Sequence, residues 1–222
     1  MSSISAPTSS ATDTEPALLE LSGVEKRYGR KAVLRGISLV LRRKEQVLIV
    51  GPNGSGKSTL LRMLAGATPA SRGTSKGSHA FRAMRVCYVP QSGGLYQGLT
   101  VAQNMHALAR LTGARPPDIP AEHPQVLALD LEPYVDVRAG NLSGGFQKLA
   151  SIACALAAEP DALFLDEPLA GVDPQGCLKL VEALRSLAER LALLVMTDHV
   201  TERLSMGTRL IHLKRGELRV AQ

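Results

Sequence analysis

The sequence predicts an α/β fold: a largely parallel sheet with helices on its faces, antiparallel β elements near the N-terminus, and an inserted helical segment in the middle. Three observations predict it. Val47–Val50, Val86–Val89, Ala162–Leu165 and Leu191–Met196 are short apolar runs that read as strands, Val47–Val50 and Ala162–Leu165 with the profile of buried ones. Amphipathic helical stretches alternate with them, the pattern of a parallel sheet joined by crossover helices. Between Val89 and Ala162 the strands stop and helical, proline-punctuated sequence takes over.

In order along the chain, residues 1–16 are rich in Ser, Thr, Ala and Pro and read as a flexible tail. They carry no basic start and no apolar run, so they do not read as a secretory signal. The folded domain is expected over 17–222. Leu18–Leu21 opens it as a strand, a turn-rich stretch Ser22–Lys31 follows, and Val33–Leu41 alternates as a second strand. Val47–Val50 leads into Gly51. Lys57–Ala65 is a helix with Leu60, Leu61 and Leu64 on one face. Gly66–Ser78 reads as a loop, and Val86–Val89 is a strand ended by Pro90. Val101–Leu111 is helical; Pro116, Pro117, Pro120 and Pro124 bar one helix over 114–124. Helix resumes over Gln125–Leu131. Phe146–Ala158 is a strong amphipathic helix, Gln175–Arg190 another, and Leu210–Leu213 with Leu218–Val220 a closing hairpin. The helical insertion spans about residues 96–150.

Composition narrows the function. Hydrophobic residues make up 45% and charged residues 21%, ordinary for a globular protein with a full core. Aromatics are only 3%, which argues against a stacking platform for single-stranded nucleic acid, and no nucleic-acid partner is expected. The net charge of +6 is spread along the chain. Cys87, Cys154 and Cys177 are far apart and read as reduced, small apolar residues, not as a disulfide framework or a zinc site. No apolar run approaches the ~18 residues needed to span a bilayer.

The chemistry begins at Gly51-Pro52-Asn53-Gly54-Ser55-Gly56-Lys57-Ser58, continued by Thr59, which fits G-x-x-x-x-G-K-[ST] between a strand and a helix. Glycines let backbone N–H groups turn inward around phosphate oxygens. The helix that follows adds its positive end. Lys57 can reach the outer phosphates, and the Ser58 hydroxyl can ligate Mg²⁺. The strand Ala162–Leu165 ends in Asp166-Glu167, where open α/β sheets bind ligands. Asp166 is placed to hold Mg²⁺. Glu167, one residue on, can position the attacking water.

Leu142-Ser143-Gly144-Gly145 then resembles the L-S-G-G-Q signature of ABC ATPases. With the two sites above, residues 17–222 resemble an ABC nucleotide-binding domain, a P-loop NTPase with a RecA-like core. The resemblance implies Mg-ATP as ligand and a head-to-tail pairing with a second ABC ATPase subunit, identical or paralogous. In that pairing Ser143, Gly144 and Gly145 of one chain meet the ATP held by the other. It further implies that Tyr28 stacks on adenine, that Gln91 touches Mg²⁺ and the water, that Asp173 crosses the dimer interface, and that His199 contacts the γ-phosphate. Asp173 before Pro174 reads equally as a helix N-cap. Phe146 replaces the family's glutamine, with Gln147 next; the Ser143 and glycine contacts are expected to survive, because the helix start carries them. The prolines of 114–124 also depart from the family pattern.

The resemblance implies an ATP-hydrolysing transporter subunit, peripheral on the cytoplasmic face of the bacterial inner membrane and partnered by transmembrane permease subunits. Gly98–Gly113 resembles ATPases of ABC-2-type exporters, which tips the direction towards export. The chain ends soon after the hairpin, so no appended regulatory domain is expected. The competing reading is a soluble ABC ATPase of translation, DNA repair or iron–sulfur assembly. Such proteins often carry paired domains, or coiled-coil, cysteine-rich or strongly basic insertions, which are missing here. A P-loop kinase or GTPase does not account for Leu142–Gly145 or His199.

Overall fold

Apolar side chains on both faces bury the central strands of the main sheet. The computed structural model describes residues 16–199 and 209–220; most of the expected N-terminal tail lies outside them. Strands β3 (Glu45–Val50), β5 (Val86–Val89), β6 (Ala162–Asp166), β7 (Leu193–Asp198), β8 (Arg209–Lys214) and β9 (Glu217–Val220) form one sheet in the order β5-β6-β7-β3-β8-β9. All its pairings are parallel except the β8–β9 hairpin. Leu48, Leu163, Leu165, Leu194 and Met196 face one core, while Val47, Ile49, Phe164, Leu193 and Val195 face the other. The period-2 alternation of a strand sorts neighbouring residues into the two layers.

The second layer is closed by α1 (Lys57–Leu64), through Leu60, Leu61 and Leu64, and by a smaller antiparallel sheet. That sheet has the order β2-β1-β4, from β1 (Ala17–Tyr28), β2 (Lys31–Arg42) and β4 (Arg72–Gly77). The first layer is covered by α3 (Val101–Thr112), α5 (Gly144–Ala157) and α6 (Pro174–Ala188). Two shorter helices, α2 (His79–Arg82) and α4 (Pro124–Ala128), complete the set of α-helices among the described residues.

Helix ends follow local chemistry. Thr100 and Gln103 form a reciprocal capping box at the start of α3, and Gly113 ends it in the left-handed region at φ 74°. Residues 114–124 form no continuous helix, as the prolines require; Pro120–Glu122 is a single 3₁₀ turn. The helix expected over Gln125–Leu131 is shorter, ending at Ala128.

Two expectations are corrected. Ser22–Lys31, expected to be turn-rich, continues β1 to Tyr28. Register shifts between Leu21 and Arg27 let the strand bend, so the alternation is broken although pairing with β2 persists. Gly66–Ser78, expected to be a loop, contains β4. Its sequence Arg-Gly-Thr-Ser-Lys-Gly has no apolar face, since five of its six residues are exposed; it is held by backbone pairing along β1.

Candidate functional site

The site lies at the carboxyl ends of three adjacent strands. Across β3–β7, Val50 pairs with Asp198, and across β6–β7, Asp166 pairs with Thr197, so the last residues of β3, β6 and β7 stand side by side. This is where parallel sheets bind ligands.

From Val50 the chain turns through Gly51–Gly56 into α1. Gly51 is required by close approach: a Cβ there would sit 2.1 Å from the Leu213 carbonyl oxygen of β8. Gly56 caps α1 at φ 106°, a conformation that favours glycine. The β8–β9 turn buttresses the loop through Gly216 N–H donating to Ser55 O at 3.1 Å. The Lys57 side chain is buried and folds back over the loop, donating to Gly51 O at 2.8 Å and lying 3.3 Å from Glu167 Oε1. A cavity of about 800 Å³ opens beside Gly54, Gly56, Lys57, Ser58 and Thr59. Lys31, Arg35, Lys214, Arg215 and Arg219 also line it with one carboxylate, Glu217, a predominantly basic wall suited to a polyphosphate.

Glu167 is the hub. It is buried and holds a left-handed backbone, φ 47°, which strains a residue with a side chain. Gln91 Nε2 donates to Glu167 Oε2 at 2.9 Å, and His199 Nδ1 lies 3.7 Å from the same oxygen. Beside it, Asp166 Oδ1 accepts from the Thr197 hydroxyl at 2.7 Å, and Thr197 Oγ1 accepts from Glu167 N–H at 3.0 Å. Asp166 Oδ2 and Ser55 Oγ are buried and make no hydrogen bond.

That orphaned carboxylate oxygen tests the fit of Mg²⁺. A second cavity, about 360 Å³, is lined by Ser58, Gln91 and Asp166, together with Arg62. Ser58, Gln91 and Asp166 offer hard oxygen ligands with one carboxylate among them, the kind of set that holds Mg²⁺ jointly with substrate phosphates, while Arg62 can only face an anion. No cluster of three or more His, Cys, Asp or Glu side chains able to hold a metal occurs among the described residues. Phosphate oxygens would therefore have to complete the shell.

Ser143, Gly144 and Gly145 stand at the start of α5 and line neither of these cavities. Ser143 Oγ caps the helix by accepting from Phe146 N–H at 3.4 Å. Ser143 and Gly144 are exposed, and their N-terminal helix end faces solvent. A Cβ on Gly145 would lie 2.9 Å from the Gly171 carbonyl oxygen, so this turn packs against the segment that leads into α6. Asp173 caps α6, its Oδ1 accepting from Gln175 and Gly176 N–H at 3.0 Å each. The Phe146 ring packs on Tyr134 with centroids 4.5 Å apart, while Gln147 Nε2 donates to Leu142 O. Tyr28 does not line the P-loop cavity: the residue is 48% exposed, and the Lys26 ammonium sits 5.2 Å from its ring centroid. Its β-pairing neighbour Lys31 does line it.

Sequence reasoning missed three residues. Thr197 bridges Asp166 and Glu167; its signal was a polar residue closing an apolar strand. Arg62 lies one turn beyond Ser58, and its Nε donates to Tyr88 Oη, which raises its pKa further. Lys148 is 4% exposed on the largely apolar buried face of α5, which it shares with Ser151. Burial lowers its pKa, and the carboxylates of Asp166 and Glu167 oppose that shift.

A parallel sheet whose strand ends hold a phosphate-type loop beside an Asp-Glu pair defines a P-loop nucleotide-binding domain. The chain belongs to the ABC transporter family, whose model matches residues 34–170. It is 37% identical over 193 residues to the Nod factor export ATP-binding protein I of Ralstonia nicotianae, covering 83% of this chain and 60% of that protein. With the protein of the same name from Burkholderia thailandensis it shares 38% identity over 196 residues, 84% of this chain and 64% of the relative. The chain thus spans less than two thirds of the length of these relatives. Among solved structures, a dimeric ATP-binding cassette in a post-hydrolysis state with ADP and Pi bound superposes with a TM-score of 0.78 at 25% identity. That match covers 90% of this chain and 96% of the other. An ATP-binding subunit of an ABC transporter shares the fold at a TM-score of 0.78 and 24% identity, covering 90% and 88%.

Proposed function

We propose that this chain is the ATP-binding and ATP-hydrolysing subunit of an ABC membrane transporter, acting in export. The observation that carries the ATPase reading is the convergence of Lys57, Gln91 and His199 on the Glu167 carboxylate. Such an array suits phosphoryl transfer to water, where catalysis is mostly positioning and charge stabilisation. The P-loop backbone and Lys57 bind the phosphates. Glu167 orients the water and takes up its proton, Gln91 keeps that carboxylate aimed, and His199 stands at the γ-phosphate. Bound with the phosphates through Ser58, Asp166 and Gln91, Mg²⁺ would supply neutralisation of the charge that builds up on the departing oxygens.

Pairing with a second cassette, a copy or a paralogue, accounts for Ser143–Gly145. An exposed helix N-terminus with a serine and two glycines suits an anion, and it lines neither cavity at the phosphate loop of its own chain. In the pair it would close over the partner's ATP, with Asp173 at the interface and Tyr28 against the adenine. The helical stretch over about 96–150 would act as a subdomain that passes the closure to permease subunits at the cytoplasmic face of the membrane. Export rests on the names of the relatives and on the similarity of Gly98–Gly113 to ABC-2-type exporters.

The test is to purify tagged Glu167→Gln protein from native membranes in detergent with ATP, which should hold the pair closed. Stoichiometric recovery of a polytopic membrane protein is expected. Recovery of ribosomes or soluble assembly factors alone would contradict the transport reading.

A further inference from the structure

The ammonium group of Lys148 is buried and bound by backbone alone. It donates to Pro90 O at 3.3 Å, to Gln91 O, and to Asp166 O at 3.4 Å. One turn further along α5, the buried Ser151 hydroxyl donates to Gly93 O. The turn Pro90–Gly93 is closed on itself by Gly93 N–H donating to Pro90 O at 2.9 Å. Both ends of that turn are thus fastened to α5, and the Gln91 amide that projects from it reaches Glu167.

We propose that Lys148 is a positioning residue, a strut that ties the helix of the Ser143–Gly145 turn to the backbone of Gln91 and Asp166 and so keeps the Gln91 amide on Glu167. Burial of an ammonium group is unfavourable unless its hydrogen bonds are made, and an apolar side chain of the same length would fill the space at less expense. A group serving packing alone has no need of three carbonyl acceptors. These acceptors belong to the two segments that carry Gln91 and the Asp166-Glu167 pair, and the helix that carries Lys148 starts at the signature turn. A shift of α5 at Ser143 would therefore be transmitted through Lys148 to the Gln91 turn, and through the Gln91 amide to Glu167. The catalytic part of the inference rests on the ATPase reading above; the strut itself does not.

Lys148→Met, Lys148→Arg and Ser151→Ala are the variants, measured in the full chain. Lys148→Met is expected to lower kcat for ATP by about 10- to 100-fold, the effect of a displaced reacting group. The KM for ATP should stay within about twofold, because the phosphate loop is untouched. Its thermal midpoint should fall by only a few degrees, because removing the buried ammonium offsets part of the cost of the carbonyl acceptors left without a donor. Lys148→Arg, which returns charge and donors, should recover most of the turnover, and Ser151→Ala should lose only a few-fold. Hydrogen exchange of the amides in 91–93 should accelerate about tenfold in Lys148→Met. Wild-type turnover in Lys148→Met would overturn the inference, as would unchanged exchange at 91–93, or a lost thermal midpoint that Arg does not restore. A wild-type chain without ATPase activity would refute the ATPase reading instead, and exchange would still decide the strut.

Discussion

Replacing Thr197 by valine removes one oxygen atom and keeps the shape of the side chain. That oxygen lies in a fully buried place, donating to Asp166 Oδ1 at 2.7 Å and accepting from Glu167 N–H at 3.0 Å. The other Asp166 oxygen already has no hydrogen-bond partner. A hydrogen bond to a carboxylate contributes about 1.5–3 kcal/mol, and an orphaned buried N–H costs about 1–3 kcal/mol. The two share one hydroxyl, so they do not add in full, and the expected loss is about 3 kcal/mol. Thr197→Ser keeps the hydroxyl and deletes one buried methyl, a loss of about 1 kcal/mol. Urea denaturation followed by circular dichroism separates the two. At a slope of about 3 kcal/mol/M, the midpoint should fall by about 1 M for valine and about 0.3 M for serine. A valine variant within about 0.5 kcal/mol of the wild type would refute the bridging role of the hydroxyl. A serine variant as unstable as the valine would assign the effect to the methyl group.

Three further outcomes are expected. Gly51→Ala forces a Cβ to within 2.1 Å of Leu213 O. Relieving that overlap costs about 1–3 kcal/mol, and calorimetric titration should find ATP bound about tenfold more weakly. Burial pushes the Cys87 thiol up to about 11 and the Cys154 thiol up to about 12. At pH 8 roughly one Cys87 in a thousand is thiolate, so a maleimide should label Cys177 first and the other two only after unfolding, as read by mass spectrometry. Phe146→Gln loses the contact with the Tyr134 ring and should cost about 1 kcal/mol of stability in denaturation. The Ser143 cap on the residue-146 N–H should persist, because a backbone group makes it.

The centre of the large sheet was legible because β3, β6 and β7 are buried on both faces and read as apolar runs; the edge strand β5 also matches Val86–Val89 residue for residue. β4 was not legible, since a strand held only by backbone pairing leaves no mark in side-chain polarity. The bends of β1 hid its length in the same way: Gly23 at φ 57° looks like a turn residue and is a bulge. Within the site, Gly51–Ser58 and Asp166-Glu167 were visible because their chemistry is local in sequence. Thr197 and Lys148 were not, because their roles exist only across strand register and between layers. Asp173 was left with two readings, and its bonds to Gln175 and Gly176 N–H are those of a helix cap.

The central claim is that this chain hydrolyses ATP with Glu167 at the water, and one paired measurement tests it most directly. ATP binding and steady-state turnover are determined on the same preparations of wild-type and Glu167→Gln protein. The account predicts equal binding within a few-fold and turnover at least about a hundredfold lower in the variant, the scale of a lost general base. Turnover at the wild-type rate by Glu167→Gln would contradict it.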